Sequence, residues 1–302
     1  VSKVSAFDVH QAVTDHIIAA IEAGVGGDVR MPWHRPGMFS MLPRNAEGTH
    51  YQGINILLLL AQAQMRGFSN LTFATYKAWK EAGAQVRKGE KANLIVFYKQ
   101  YSVDPDPENT DDDGSRKVAR AYSVFNVAQV DGYELPAIPE RPPIQKHAEA
   151  EAFFRHLGIA LVTGGENAFY RPSDDSITMP DERYFDASTE EQRTLDWLSV
   201  IFHEAGHATG AKHRLNRDLG KRFGSPEYAG EELVAELISA YTMAYLGLSA
   251  QPRDDHARYI ANWLKALKDD KRAIFTAAAR AQEALAWMIA RQPGASAATD
   301  AA

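Results

Sequence analysis

The sequence predicts an α+β protein of two units, a mixed α/β unit followed by a mostly helical unit with a small, antiparallel-edged sheet. Three observations carry that expectation. The 302 residues are 45% hydrophobic and 24% charged, the balance of an ordinary globular chain long enough for about two domains of roughly 150 residues. Four prolines (Pro136, Pro139, Pro142 and Pro143) crowd residues 135–143, a composition that resists helix and sheet alike. Strand-like runs dominate just before that stretch, and long helical periodicity dominates the chain after residue 190. The expected boundaries are a first domain over 1–135, a Pro-rich linker over 136–145, a second domain over 146–291 and a disordered tail over 292–302.

In chain order, Val9, Val13, Ile17, Ile18 and Ile21 repeat at helical spacing behind Asp8 as a cap, and glycines from Gly24 to Gly27 stop the helix. Residues 31–45, rich in Pro, Gly, Trp and Arg, read as an ordered loop. A buried helix is expected over 54–65 with Gly67 as terminator, and a short one from Thr75 to Gly83. Strands are expected over 93–101 and 118–127, separated by a loop bearing Asp104, Asp106, Glu108, Asp111, Asp112 and Asp113. The second unit opens with a helix over 146–157. Short strands follow at 159–163, 168–171 and 176–179, then helices at 190–209, 225–246, 254–267 and 271–290.

Composition excludes several chemistries. With no cysteine there is no disulfide, no thiolate ligand and no cysteine nucleophile. The richest apolar run, residues 54–61, falls far short of the roughly 20 residues that span a bilayer. No basic, apolar and small-residue leader opens the chain, so a cytoplasmic protein with no membrane partner is expected. The net charge of −6 hides a local pattern. Through residue 135 there are 14 basic and 15 acidic residues, and without the six acids of the loop the balance becomes +5. A basic surface with an acidic flap is compatible with a polyanion, and a solvated surface of mixed charge equally so.

The chemistry concentrates at His203-Glu204-Ala205-Gly206-His207. Histidines at i and i+4 project from one helix face and can reach one divalent ion. Glu204 lies one step round, placed to take a proton from water on the metal without ligating it, the arrangement of metallopeptidases. Leu198, Val200, Ile201 and Phe202 bury the approach, and Gly206 costs about 1 kcal/mol of helix propensity, which implies close packing or access. Two third ligands compete. His213 completes a metzincin-like spacing through Gly210, but Met243 lies in a helix rather than in the expected Met-turn. Glu232 on the next helix gives a His2Glu site, with Glu236 on the same face bonding a ligating histidine. Glu232 is preferred. Glu231 reads as an exposed position. If the site is catalytic, an extended substrate is expected along residues 176–179 as the sheet edge.

Taken together, Pro32-Trp33, the run Tyr51-Gln52-Gly53-Ile54-Asn55, residues 83–91 and residues 122–129 resemble the N-terminal domain of the ArdC antirestriction proteins. His203 to His207, Thr209-Gly210, Arg214-Leu215-Asn216-Arg217 and residues 228–233 are similar to that family's zincin-like peptidase domain. The resemblance covers residues 7–290. It implies a plasmid-encoded bacterial protein that binds single-stranded DNA and protects incoming DNA from host restriction during conjugation, in the recipient cell. It also implies that relatives usually lack a histidine at the position of His213. Zn2+ is the expected metal, with Mn2+ as a replacement, and an unidentified protein linked to the host restriction system is the expected substrate. The alternative is a non-catalytic single-stranded DNA-binding protein whose metal site is structural or vestigial. Trp33, Arg44, Tyr51, Arg87, Lys88 and Lys91 are the expected DNA contacts, since single strands are held by basic grooves and aromatic faces. Phe97, Tyr98, Tyr122 and Phe125 are expected in the core unless strand alternation exposes one face.

Overall fold

The computed structural model describes residues 8–24, 41–104, 115–136, 142–185, 188–219, 226–249 and 256–295. The N-terminal unit opens with α1 (Val9–Gly24), in which Asp8 Oδ1 accepts the Gln11 N–H at 3.1 Å. Next comes α2 (Ile54–Arg66), closed by Gly67 in the left-handed conformation (φ 68). After β1 (Phe73–Ala74), α3 (Tyr76–Glu81) starts at Thr75, whose side chain accepts from the Ala78 N–H. The remaining strands are β2 (Gln85–Val86), β3 (Asn93–Ser102), β4 (Ser115–Asn126) and β5 (Val130–Asp131). β3 and β4 form a long antiparallel hairpin with β1 on its far side, while β2 pairs with β5.

The outer edge of β3 is closed by side chains. Asn55 of α2 accepts the Val96 N–H and donates to the Val96 carbonyl, both at 2.8 Å. Gln62 does the same at Leu94. Two amides thus stand in for a neighbouring strand and remove an exposed edge.

The C-terminal unit comprises α4 (Pro143–His156), β6 (Ala160–Thr163), β7 (Phe169–Arg171), β8 (Ser176–Met179), α5 (Glu190–Thr209), α6 (Pro226–Tyr245), α7 (His256–Asp269) and α8 (Ala273–Ile289). Its sheet is mixed. β8 is central, parallel to β6 and antiparallel to β7, so residues 176–179 are not the edge the sequence suggested. Pro143 begins α4, where proline loses no intrahelical bond, so the end of the expected linker is helix; residues 137–141 lie outside the described residues. Gln292, expected in a disordered tail, donates to the Phe153 and Met288 carbonyls at 3.2 and 3.0 Å.

The two units share one core. Ile17 and Leu57 belong to the same buried cluster as Leu237, Ala281 and Met288. Polar contacts cross the junction as well: Tyr241 Oη donates to the Gly53 carbonyl at 3.0 Å, and Gln282 Oε1 accepts the Gly53 N–H at 3.1 Å. The cause is legible in α2, whose buried residues run from Ile54 to Ala63 with hardly a break. A helix that is apolar all round must be covered on more than one side, and α2 is covered by β3 and by α8.

Candidate metal centre

Helix α5 starts at Thr189, whose hydroxyl accepts the Gln192 N–H at 3.1 Å, with Glu190 and Glu191 in its first turn, where carboxylates suit the helix dipole. It packs between β7 and β8 on one side and α6 on the other. His203 and Glu204 are buried and His207 nearly so. Gly206 decides how close α6 can come. A Cβ there would sit 3.1 Å from Ala235 Cα and 3.3 Å from the Ala235 carbonyl oxygen, so two small residues let the helix backbones nearly touch.

That approach brings Glu232 against both histidines. His203 Nε2 lies 3.4 Å from Glu232 Oε2, and His207 Nε2 lies 3.4 Å from Glu232 Oε1. One donor atom from each of the three residues falls within 4.8 Å of the others. For bonds of about 2.0–2.1 Å, the ligands of a tetrahedral zinc stand about 3.3–3.4 Å apart. The donor set, two neutral imidazoles and a carboxylate, and this spacing fit a divalent ion of the zinc or manganese kind.

Behind each ring stands a second carboxylate. His203 Nδ1 is 3.7 Å from Glu236 Oε2, and His207 Nδ1 is 3.5 Å from Glu231 Oε1. Glu231 is buried rather than exposed, because Arg217 from the turn after α5 binds it twice, at 3.2 and 2.7 Å. Arg217 also donates to the Gly206 carbonyl and to Thr209 Oγ1, each at 2.7 Å. Burial works against the charged form of His207, but hydrogen bonding to Glu231 and Glu232 outweighs it and pushes the imidazolium up to about 10. Burial likewise opposes ionisation of Glu231 and Glu232, and their histidine and arginine partners hold both below the usual carboxylate range.

Glu204 is held from the sheet. The Tyr170 backbone N–H of edge strand β7 donates to Glu204 Oε2 at 2.8 Å. Tyr170 Oη in turn donates to Asp175 Oδ1 at 2.8 Å, and Arg214 clamps Asp175 at 2.7 and 2.8 Å. His213, the rival ligand, turns to this hub instead, with Nε2 3.2 Å from Asp175 Oδ2 and its side chain 61% exposed. It is not one of the three clustered residues. Reading the sequence missed Tyr170, Asp175, Glu231 and Arg217. The available signal was Arg214 and Arg217, two cations just after an apolar helix, which need acids to be buried.

The expected DNA contacts fare differently. Trp33 lies outside the described residues. Arg44 is half-buried, its backbone bridged to His50 and Thr72. Tyr51 packs against the core and donates to the Phe73 carbonyl at 2.9 Å, and burial pushes its hydroxyl up to about 12. Arg87 spends its guanidinium on Glu90, Asp131 and the Ala128 carbonyl. Lys88 and Lys91 stand exposed. Phe97, Tyr98 and Tyr122 are exposed, the alternative left open for these strand aromatics.

A helix carrying the histidine pair against a mixed sheet, with the third donor on the next helix, defines a zincin-like metallopeptidase domain, and residues 148–280 match the family model of that description. Residues 7–125 match the N-terminal domain of anti-restriction factor ArdC. The chain is 35% identical to the antirestriction ArdC protein from the R388 plasmid, whose crystal structures cover 94% of this chain and 98% of their own. The metal-free form superposes with a TM-score of 0.74 and the Mn(II)-bound form with 0.75. An uncharacterised protein of Sinorhizobium fredii is 47% identical over 94% of this chain and 92% of its own length. A DNA primase TraC of Escherichia coli is 35% identical over 93% of this chain, which spans only 20% of the primase. This chain belongs to the ArdC antirestriction family. Among the described residues no helix is long and apolar enough to cross a membrane.

Proposed function

We propose that the protein is an antirestriction factor that binds single-stranded DNA through its N-terminal unit and cleaves a protein of the host restriction response at the α5–α6 centre. The observation that carries the catalytic half is the coincidence of three converging donors with a buried, anchored Glu204. A purely structural metal site needs no such base. His203, His207 and Glu232 would hold the ion, zinc or the Mn(II) found in the related crystal structure. When bound, the metal supplies Lewis-acid polarisation of a carbonyl oxygen and a water that loses its proton near neutral pH.

The remaining work falls to the chain. Glu204 takes the proton from water and returns it to the leaving amine, with its orientation fixed by the Tyr170 N–H. Glu236 and Glu231 stand 3.7 and 3.5 Å behind Nδ1 of the two rings, carboxylates that favour a proton on Nδ1 and so leave the Nε2 lone pairs for the metal. The test is plasmid transfer into restricting and non-restricting recipients with intact protein and Glu204→Ala. Loss of protection by Glu204→Ala, with metal content unchanged, is expected. Full protection by that variant would leave the non-catalytic binding protein as the answer.

A further inference from the structure

The metal centre leaves the outer half of the β3–β4 hairpin unexplained. Phe97 is 58% exposed, Tyr101 45% and Tyr122 44%, three large rings in water on one hairpin, and a contiguous exposed patch of this kind marks an interaction site. The register sets these rings on one face. Phe97 stands opposite Arg120, Tyr122 opposite Ile95, and Lys99 opposite Val118. Because directly paired residues share a face, that face reads Ile95, Phe97, Lys99, Tyr101 along β3 and Arg120, Tyr122, Val124 along β4; it is buried at Ile95 and Val124 and exposed from Phe97 and Tyr122 outward. On the other face Leu94, Val96, Ala119 and Ala121 pack against the core, while Tyr98 is 47% exposed.

Phe97 and Tyr122 meet edge to face, with centroids 5.6 Å apart and planes at 74°, a geometry that leaves ring surface open to a planar partner. Phe97 is also one wall of a cleft of about 430 Å³ that includes Tyr51 and Thr75 and, among its lining, the carboxylates of Glu47 and Glu81. Those carboxylates repel a phosphate but accept from the amino group of a base. Lys99 and Arg120, exposed between the rings, are placed for phosphates.

We infer that this face of the hairpin is where single-stranded DNA docks, with bases stacked on Phe97, Tyr101 and Tyr122, one base entering the cleft beside Phe97, and phosphates on Lys99 and Arg120. The inference rests on the single-stranded DNA reading above and names its surface. Duplex DNA hides the base faces that these rings need, and cations interleaved with rings suit a nucleic acid strand better than an apolar protein partner.

The test is fluorescence anisotropy of the full chain with a labelled thymidine 30-mer, its duplex and a uridine 30-mer, over a range of salt. Wild type should favour the single strand over the duplex. Phe97→Ala/Tyr122→Ala should weaken single-strand binding at least tenfold, Phe97→Tyr should retain it, and Lys99→Ala/Arg120→Ala should flatten the salt dependence. All of these positions are exposed, so an unchanged thermal melt verifies folding. Wild-type binding that survives in the double aromatic variant overturns the surface and leaves the reading intact. Absence of single-strand binding by wild type overturns both. A change from dimer to monomer in the aromatic variant without loss of DNA affinity shows that the face pairs copies of the chain, and also overturns the inference.

Discussion

The metal centre and the hairpin face use charge in opposite ways. At the centre, the charged groups are answered by partners, the buried Glu231 by Arg217, the buried Glu232 by two imidazoles and the partly exposed Asp175 by Arg214. On the hairpin, rings and cations stand in water with their geometry set only by strand register. A centre that holds small atoms at fixed distances needs surroundings that resist displacement. A surface that accepts a flexible strand needs exposed groups and little else. The first should therefore be tied to stability and the second nearly independent of it.

The sharpest break of this contrast comes from the donors. Replacing His203, His207 or Glu232 with alanine should abolish stoichiometric metal uptake, read by elemental analysis, together with the rise in melting temperature that metal gives to a protein that binds it only when folded. Arg217→Ala comes next. It strands Glu231, whose side chain is 1% exposed, and leaving one partner of a buried pair costs about 3–5 kcal/mol, measurable by urea unfolding. Gly206→Ala sets a helix-propensity gain of about 1 kcal/mol against overpacking of about 1–3 kcal/mol where the Cβ meets the α6 backbone. A net loss near 1 kcal/mol and weaker metal binding are expected. Phe97→Ala should change stability by no more than about 0.5 kcal/mol. A loss above about 1 kcal/mol there would mean that the hairpin face is core after all.

Proton linkage gives a subtler test. In the metal-free protein the His207 imidazolium is raised to about 10. A raised cationic pKa stabilises the fold fully below its unfolded value, about 6.5, and that contribution fades as pH rises toward 10. Asp175 runs the other way. Burial opposes its charge, but the Arg214 and Tyr170 hydrogen bonds hold it below the usual range, so its contribution is present above about pH 4 and lost in acid. Since a ligating imidazole must be neutral, metal uptake at pH 7 should release about one proton from His207 and strengthen as pH rises. Calorimetry in two buffers of different ionisation enthalpy measures this, and no proton release would contradict the ring's carboxylate-held state.

Much of the molecule is legible before any fold is known, because some signals are local. Helix α5 spans Glu190–Thr209, the residues its periodicity predicts, and the i, i+4 spacing of His203 and His207 alone puts both rings on one face. Thr75 and Gly67 mark helix ends because capping is satisfied within a few residues. The three short strands β1, β2 and β5, two residues each, leave no periodic trace. Phe97, Lys99 and Tyr101 did carry one, an alternation of period two, but alternation does not say which face of a hairpin meets the core.

By itself, then, the sequence determined what short-range stereochemistry dictates: the helices, the histidine pair with Glu204 beside it, the glycine that implies a close neighbour, and the family. Only the tertiary structure decided which partner answers each buried charge. Glu231 became a buried anchor because Arg217 folds back over the end of α5, and His213 turned to Asp175 because Arg214 and Tyr170 gather that carboxylate beside β7. It also decided that β8 is central and that the two units share one core through α2. These are contacts between residues far apart in the chain, selected by which apolar faces must be covered and which buried charges must be neutralised together. That selection is a property of the whole packed molecule, and no window of residues contains it.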